Sequence, residues 1–122
     1  MIATIFLLSC QTPKEETTLN AIEFDQSMKN ETKGNFVLLD VRTPEEFSEG
    51  HLQEAIDIDY NNPAFTSNIT KLDKNKTVYV YCRSGRRSAE AASIMRSSGF
   101  KKVIELDGGI LAWEDAHLTV VK

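Results

Sequence analysis

The sequence predicts an α/β fold in which a mostly parallel central sheet carries helices on both faces. Residues 36–41 and 77–81 are two short runs rich in β-branched, aromatic and apolar side chains, as expected of buried strands. Each is followed by a segment with the start signals or the spacing of a helix. Strands that alternate with helices favour a parallel sheet covered on both sides, whose binding sites form beyond the carboxyl ends of the strands.

The individual elements follow from local patterns. We expect strands at residues 17–19, 36–41, 55–58, 77–81 and 102–106. We expect helices at residues 21–29, 44–49, 63–72, 88–98 and 110–115. Asn20 forms a capping-box pattern with Glu23, and Thr43 stands before Pro44 and three residues before Glu46, so both first helices have clear starts. The tail at residues 118–121 is expected to pair at the sheet edge.

Bulk composition describes a single domain of ordinary size. The chain has 122 residues, of which 41% are hydrophobic and 26% charged. A net charge of −4 gives no reason to expect a nucleic-acid partner. Two cysteines cannot form a disulfide framework, and no cysteine or histidine spacing is typical of a metal site. We therefore expect a monomer without a metal or cofactor.

The N-terminus has the character of an export signal. Residues 1–8 are apolar, and the run Leu-Leu-Ser-Cys ending at Cys10 resembles the processing site of bacterial lipoproteins. This resemblance implies a signal peptide at residues 1–10, a lipidated Cys10 as membrane tether, a flexible linker at residues 11–18, and a periplasmic or outer-membrane location. The alternative is a first strand or an apolar tail on a cytoplasmic protein, because no Lys or Arg precedes the apolar run.

Cys82 is the candidate nucleophile. It lies where a predicted strand ends and a short loop enters a helix, a place where unpaired backbone N–H groups collect. Arg83, Arg86 and Arg87 stand in the same few residues. An unperturbed thiol is only about 3% thiolate at pH 7, so stabilisation of the anion would activate it. The alternative, a small buried hydrophobic residue at a strand end, does not account for the three arginines.

The length of the loop separates two kinds of chemistry. Phosphatases of the Cys-x5-Arg type place an arginine six positions after the cysteine, around a tetrahedral phosphate. Here that position is Ser88, and the arginine comes one residue earlier, at Arg87. The smaller loop favours a single sulfur atom carried on Cys82 over a phosphoryl group, which leaves a phosphatase or arsenate reductase as the weaker alternative.

Three motifs together resemble the rhodanese-like sulfurtransferases. The loop that starts at Cys82 reads Cys-Arg-Ser-Gly-Arg-Arg and is followed by Ser88. This resembles a common form of the family's active-site loop, a hexapeptide that begins with cysteine. Leu-Asp-Val-Arg-Thr-Pro-Glu-Glu-Phe from Leu39, with Gly-His-Leu from Gly50, resembles the upstream motif. Asp-Gly-Gly-Ile-Leu-Ala-Trp, ending at Trp113, resembles the C-terminal one. The resemblance implies a rhodanese-like domain over residues 19–122.

The resemblance also implies a reaction. Cys82 would take sulfur from a small anionic donor such as thiosulfate, hold it as a persulfide, and pass it to a thiol or cyanide acceptor. The active-site loop would comprise Arg83, Ser84, Gly85, Arg86, Arg87 and Ser88. Within it, backbone N–H groups would stabilise the sulfur, while Arg83 and Arg86 would attract the donor or stand as solvated surface charge.

Other motif residues are expected to support the site. Asp40 and Arg42 would act beside the loop, either directly or as a mutual salt bridge. His51 is expected to have a packing role, and Trp113 to cover the core near the loop. The alternative function is a non-enzymatic module that carries persulfide sulfur for a partner or senses redox state.

Overall fold

Residues 17–122, the part of the chain that the computed structural model describes, contain seven strands and five helices. The strands are β1 (Thr18–Leu19), β2 (Phe36–Asp40), β3 (His51–Leu52), β4 (Ile56–Asp57), β5 (Thr77–Tyr81), β6 (Lys102–Leu106) and β7 (Val120–Val121). The helices are α1 (Ala21–Lys29), α2 (Pro44–Glu49), α3 (Phe65–Ile69), α4 (Arg86–Ser97) and α5 (Gly109–Asp115).

Five of the strands form one parallel sheet, in the order β1-β6-β5-β2-β4. The central strand β5 pairs with β2 on one side, where Leu39 lies opposite Val80, and with β6 on the other, where Val78 lies opposite Val103. Because all five strands run the same way, their carboxyl ends meet at one edge. The predicted α/β fold with a central parallel sheet is confirmed.

The core has two halves, one on each face of the sheet. Successive side chains of a strand point to opposite faces. Val78 and Val80 accordingly join a cluster with residues of α3 and α4, whereas Tyr79 and Tyr81 join a second cluster with residues of α1 and α5. All four residues are fully buried. The sheet is therefore held rigidly between two layers of helix, and it fixes the segments that leave its carboxyl edge.

The C-terminal tail differs from the prediction. Val120–Val121 pairs antiparallel with β3 in a separate two-stranded sheet, so the expectation that the tail joins the edge of the main sheet was wrong. The partner strand is held in place by the buried hydroxyl of Tyr81, which accepts a hydrogen bond from the Leu52 N–H at 3.1 Å. A strand of two residues is too short for its sequence pattern to predict which strand it pairs with.

Two helices also begin or end at least two residues away from the expected position. Helix α4 begins at Arg86, two residues early, because Gly85 has a φ of +112° and its carbonyl already accepts the N–H of Ala89 at 3.1 Å. Helix α3 is shorter than expected, since the Asn62 side chain accepts the Ala64 N–H and holds a turn before it.

The proposed signal peptide at residues 1–10 and most of the proposed linker at residues 11–18 lie outside the described residues. Strand β1 begins at Thr18, the position given above as the last of the linker. Within residues 17–122, no helix is both long enough and apolar enough to cross a membrane.

Candidate active site

The three sequence motifs meet at the carboxyl edge of the sheet. Cys82 follows β5 directly, and the segment after β2 is joined to it through the Val41 N–H, which donates to the Tyr81 carbonyl at 3.1 Å. The turn after β6 reaches the same place, where the N–H of Ile110 donates to the Cys82 carbonyl at 2.9 Å. The fold thus brings the predicted nucleophile and both flanking motifs together.

The sulfur of Cys82 lies among hydrogen-bond donors. The N–H of Gly85 donates to Sγ at 3.0 Å, which the positive φ of this glycine permits, and Oγ of Ser88 lies 3.4 Å from Sγ. Burial by itself raises the pKa of the thiol. The Ser88 hydroxyl and the N–H groups of Ser88, Gly85 and Ser84 outweigh that burial, so the pKa of Cys82 is lowered from its ordinary value.

The Ser88 hydroxyl can follow the charge of the sulfur. Its oxygen lies 3.2 Å from the Gly85 carbonyl as well as 3.4 Å from Sγ, and it carries only one proton. Beside a thiol the hydroxyl donates to the Gly85 carbonyl and accepts from the S–H. Beside a thiolate it turns to donate to the sulfur, while the Gly85 carbonyl keeps the Ala89 N–H as its partner.

The sulfur is shielded, whereas the rim of the loop is open. Cys82 is only 1% exposed and Ser88 is fully buried. Arg83, Ser84 and Arg86 are exposed, and neither of these two arginines forms a salt bridge with any residue among 17–122. N–H and hydroxyl donors surround the sulfur, and the guanidinium groups of Arg83 and Arg86 lie on the outer rim of the loop, as the sequence predicts.

Arg87 is anchored to Glu46, which the sequence marks as a capping residue and a member of the upstream motif but not as a partner of the loop. Its two terminal nitrogens donate to the two carboxylate oxygens of Glu46 at 2.7 and 2.9 Å. Hydrogen bonds from Arg87, together with those from Thr43, lower the pKa of Glu46 to about 2 although burial opposes them. This bidentate pair fastens the end of the loop to the start of α2. The capping-box pattern does not predict that Glu46 also binds Arg87, because the two residues lie 41 positions apart in the sequence.

Asp40 and Arg42 form a buried salt bridge beside the loop. Arg42 Nη2 donates to Asp40 Oδ2 at 2.7 Å and to the Gly50 carbonyl at 2.6 Å. The guanidinium also stacks over the ring of Tyr81, 5.7 Å from its centroid. Of the two readings left open for this pair, these contacts favour the structural one: the salt bridge joins the end of β2 to the start of β3.

Asp57 is an ionisable residue that the sequence analysis did not single out. It pairs with Asp40 in the sheet register, and its Oδ1 is buried without a hydrogen-bond partner. Burial, followed by the charges of Asp40 and Asp59, raises its pKa to about 7, against the opposing influence of Arg42. Only the register of β2 against β4 brings the two carboxyl groups together, and no local pattern reports it.

His51 and Trp113 occupy packing positions. The His51 ring stacks on Phe47 with centroids 3.8 Å apart, and its Nδ1 lies 2.9 Å from the Phe47 carbonyl oxygen. Trp113 packs edge-on against Phe24 in the cluster with α1, and its Nε1 donates to the Thr119 carbonyl at 3.0 Å. No group of three metal-ligating side chains occurs in the part of the chain described.

Comparison with known proteins identifies the family. A family model of the rhodanese-like domain matches residues 23–116. The chain belongs to the rhodanese family. A solved structure of a rhodanese-related protein from Thermoplasma volcanium superposes with a TM-score of 0.74 at 27% identity, over 85% of this chain and 96% of that one.

Two curated relatives differ in the share of their own length that this chain matches. A sulfurtransferase from Allochromatium vinosum is 33% identical over 85 residues, which cover 70% of this chain and 78% of the relative. An uncharacterized protein from Synechocystis is 40% identical over 88 residues, and the aligned part is 47% of its length. This chain therefore spans about half of the second relative.

Proposed function

We propose that the domain is a sulfurtransferase that moves a sulfane sulfur from thiosulfate, or a similar small anionic donor, to a thiol or cyanide through a persulfide on Cys82. The main support is the environment of Cys82, whose Sγ accepts a hydrogen bond from the Gly85 N–H at 3.0 Å and lies beside the Ser88 hydroxyl. Membership of the rhodanese family and the relative named a sulfurtransferase support sulfur transfer as the general reaction.

The reaction has two balanced halves. The Cys82 thiolate attacks the outer sulfur of thiosulfate and a new S–S bond forms. The S–S bond of the donor breaks, and sulfite leaves with its electron pair. The enzyme then holds a persulfide anion, from which cyanide takes the outer sulfur as thiocyanate and regenerates the thiolate. Donors that already face Sγ would stabilise the anion at both stages.

The burial of the Cys82 sulfur limits the size and shape of the substrates that can reach it. Because Cys82 is 1% exposed, a reagent must pass the rim of Arg83, Ser84 and Arg86 to reach it. Thiosulfate presents a single terminal sulfur atom, and cyanide is a slender rod, so both can enter a narrow opening. The guanidinium groups of Arg83 and Arg86, which form no salt bridge within residues 17–122, would hold the sulfonate end of the sulfur donor outside.

The direct test is formation of thiocyanate from thiosulfate and cyanide. Cys82→Ser is expected to abolish turnover and to keep the melting temperature of the parent. Ser84→Ala, which alters an exposed side chain of the same loop, is the control for handling and folding. Replacing both Arg83 and Arg86 by Ala is expected to raise KM for thiosulfate more than it lowers kcat.

Two other outcomes would redirect the proposal. A persulfide that forms on Cys82 only when a partner protein supplies the sulfur, with little turnover of free thiosulfate, would point to the carrier function. Hydrolysis of an aryl phosphate that depends on Cys82 would point to a phosphatase and overturn the argument from loop length. A thiol that neither thiosulfate nor a small alkylating agent can reach would overturn the enzymatic proposal itself.

We also propose that the domain is tethered to a bacterial membrane through a lipidated Cys10. The support is the apolar run of residues 1–8 and the Leu-Leu-Ser-Cys motif. Mass measurement of the native N-terminus tests it: a chain that begins at lipid-modified Cys10 is expected, and an unprocessed Met1 in the producing cell would contradict it.

A further inference from the structure

The first turn of α5 lies against the backbone of the Cys82 loop. The Ile110 N–H donates to the Cys82 carbonyl at 2.9 Å, and the Leu111 N–H donates to the Arg83 carbonyl at 3.2 Å. The first N–H groups of a helix have no acceptor within the helix, so these loop carbonyls supply the partners that α5 lacks. In return, both carbonyls are held on the side of the loop that faces α5.

This arrangement fixes the direction of one N–H group of the loop, that of Ser84. The C=O and N–H of a trans peptide unit lie in one plane and point in opposite directions. Since the Arg83 carbonyl faces Leu111, the Ser84 N–H of the same peptide unit must point away from α5. That N–H is one of the groups that act favourably on the anion of Cys82. The hydrogen bond that holds the Arg83 carbonyl against α5 therefore turns the Ser84 N–H toward the opposite side of the loop.

Gly109 makes the close approach possible. A Cβ at this position would overlap the Arg83 carbonyl oxygen and lie 2.6 Å from the Cys82 carbonyl oxygen. These are backbone atoms and cannot swing aside as the end of a side chain can. The φ of Gly109 is +62°, which also disfavours any other residue. Only glycine allows the helix to start in contact with the loop.

The helix that provides the two donors is itself firmly held. Ile110 and Trp113 are buried in the cluster shared with α1. Trp113 contacts Phe24 edge-on, and its Nε1 donates to the Thr119 carbonyl at 3.0 Å. Because α5 cannot retreat from the loop without disturbing this packing, it can act as a fixed support for the loop carbonyls.

We propose that Gly109 and the N–H groups of Ile110 and Leu111 form a positioning device, which holds the Cys82 and Arg83 carbonyls and so directs the Ser84 N–H toward the Cys82 sulfur. None of the three residues needs to touch the substrate. The inference rests on the proposed function, because it concerns the same sulfur atom. It describes the free Cys82 thiol, before any sulfur-donating substrate binds.

The first test removes the backbone N–H of Leu111, and a second variant controls for the loss of the leucine side chain. Leu111→Pro removes the N–H that binds the Arg83 carbonyl; because Leu111 is the third residue of α5, this N–H has no acceptor within the helix and no helical hydrogen bond is lost. Leu111→Ala keeps this N–H. The readout is the pH dependence of iodoacetamide alkylation of Cys82. Below the wild-type midpoint, Leu111→Pro is expected to react about fivefold more slowly, and Leu111→Ala at the wild-type rate.

The second test compares the two adjacent glycines. Gly108 also has a positive φ, but a Cβ there would meet the Cβ of Ala112 within α5, at 2.7 Å, and not the loop. Both Gly109→Ala and Gly108→Ala are expected to lower the melting temperature. Only Gly109→Ala should move the alkylation midpoint to higher pH. This pair decides the matter if Leu111→Pro does not fold.

The outcomes separate this inference from the proposed function. Unchanged alkylation profiles in folded Leu111→Pro and Gly109→Ala, or an equal change in Gly108→Ala, would overturn the positioning role. Because alkylation needs no sulfur donor, a wild-type protein that fails to turn over thiosulfate would overturn the function and leave this result standing.

Discussion

Ser88 offers the sharpest test of how the sulfur is activated. Its buried hydroxyl lies 3.4 Å from Cys82 Sγ and is the largest of the favourable influences that lower the pKa of the thiol. A hydrogen bond to a charged group contributes about 1.5–3 kcal/mol, and the length of this contact places it at the lower end. Since about 1.4 kcal/mol is a factor of ten, Ser88→Ala is expected to lower the thiolate population about tenfold at pH values below the wild-type midpoint.

The assay is alkylation of Cys82 across a pH series, with circular dichroism to show that the fold is intact. The rate of Ser88→Ala should fall about tenfold at low pH and should recover once the pH exceeds the new midpoint. Ser84→Ala is the matched control, because its side chain is exposed and its backbone N–H is retained. A Ser88→Ala profile that superposes on the wild type would refute a role for the hydroxyl in stabilising the anion.

Two further predictions concern stability and pH. Glu46 has its pKa lowered to about 2 in the folded chain, so its contribution is present above about pH 4.5 and is lost as the pH falls toward 2. Glu46→Gln should remove that acid dependence in urea unfolding and cost about 1 kcal/mol at pH 7, given the partial exposure of the pair with Arg87; an unchanged acid dependence would contradict it. Asp57 has its pKa raised from 3.8 to about 7, so the free energy of unfolding should decline between these pH values and stay low above them. Asp57→Asn should abolish the decline and stabilise the chain by about 1 kcal/mol at pH 8, discounted for solvent screening, with equal stability at pH 3; a variant less stable than wild type at pH 8 would contradict it.

The sequence reports well on features that are local or that share one edge of the sheet. Residues 77–81 are apolar and β-branched because they form the central strand, buried on both faces. Thr43 and Pro44 mark a helix start within four positions, and the reciprocal capping box is present. The carboxyl ends of parallel strands lie at the same edge, so the parallel arrangement predicts that Cys82 and the other two motifs share that edge.

The remaining features depend on contacts that are distant along the chain. Glu46 binds Arg87 across 41 positions, and nothing near either residue distinguishes that pair from an ordinary cap and an ordinary surface charge. The neighbourhood of Asp40 and Asp57 depends on the register of two strands, one of them two residues long. Gly108 and Gly109 belong to the C-terminal motif, but the contact of Gly109 with the loop carbonyls depends on how α5 docks against α1.

The most direct test of the account is whether the Cys82 sulfur accepts and gives up one sulfur atom. Intact-protein mass spectrometry of the chain incubated with thiosulfate, before and after cyanide, measures this with Cys82→Ser beside it. The account predicts a gain of one sulfur on wild type, its complete loss to cyanide as thiocyanate, and no gain on Cys82→Ser. A wild-type mass that does not change, or a sulfur that is also gained by Cys82→Ser, would contradict it.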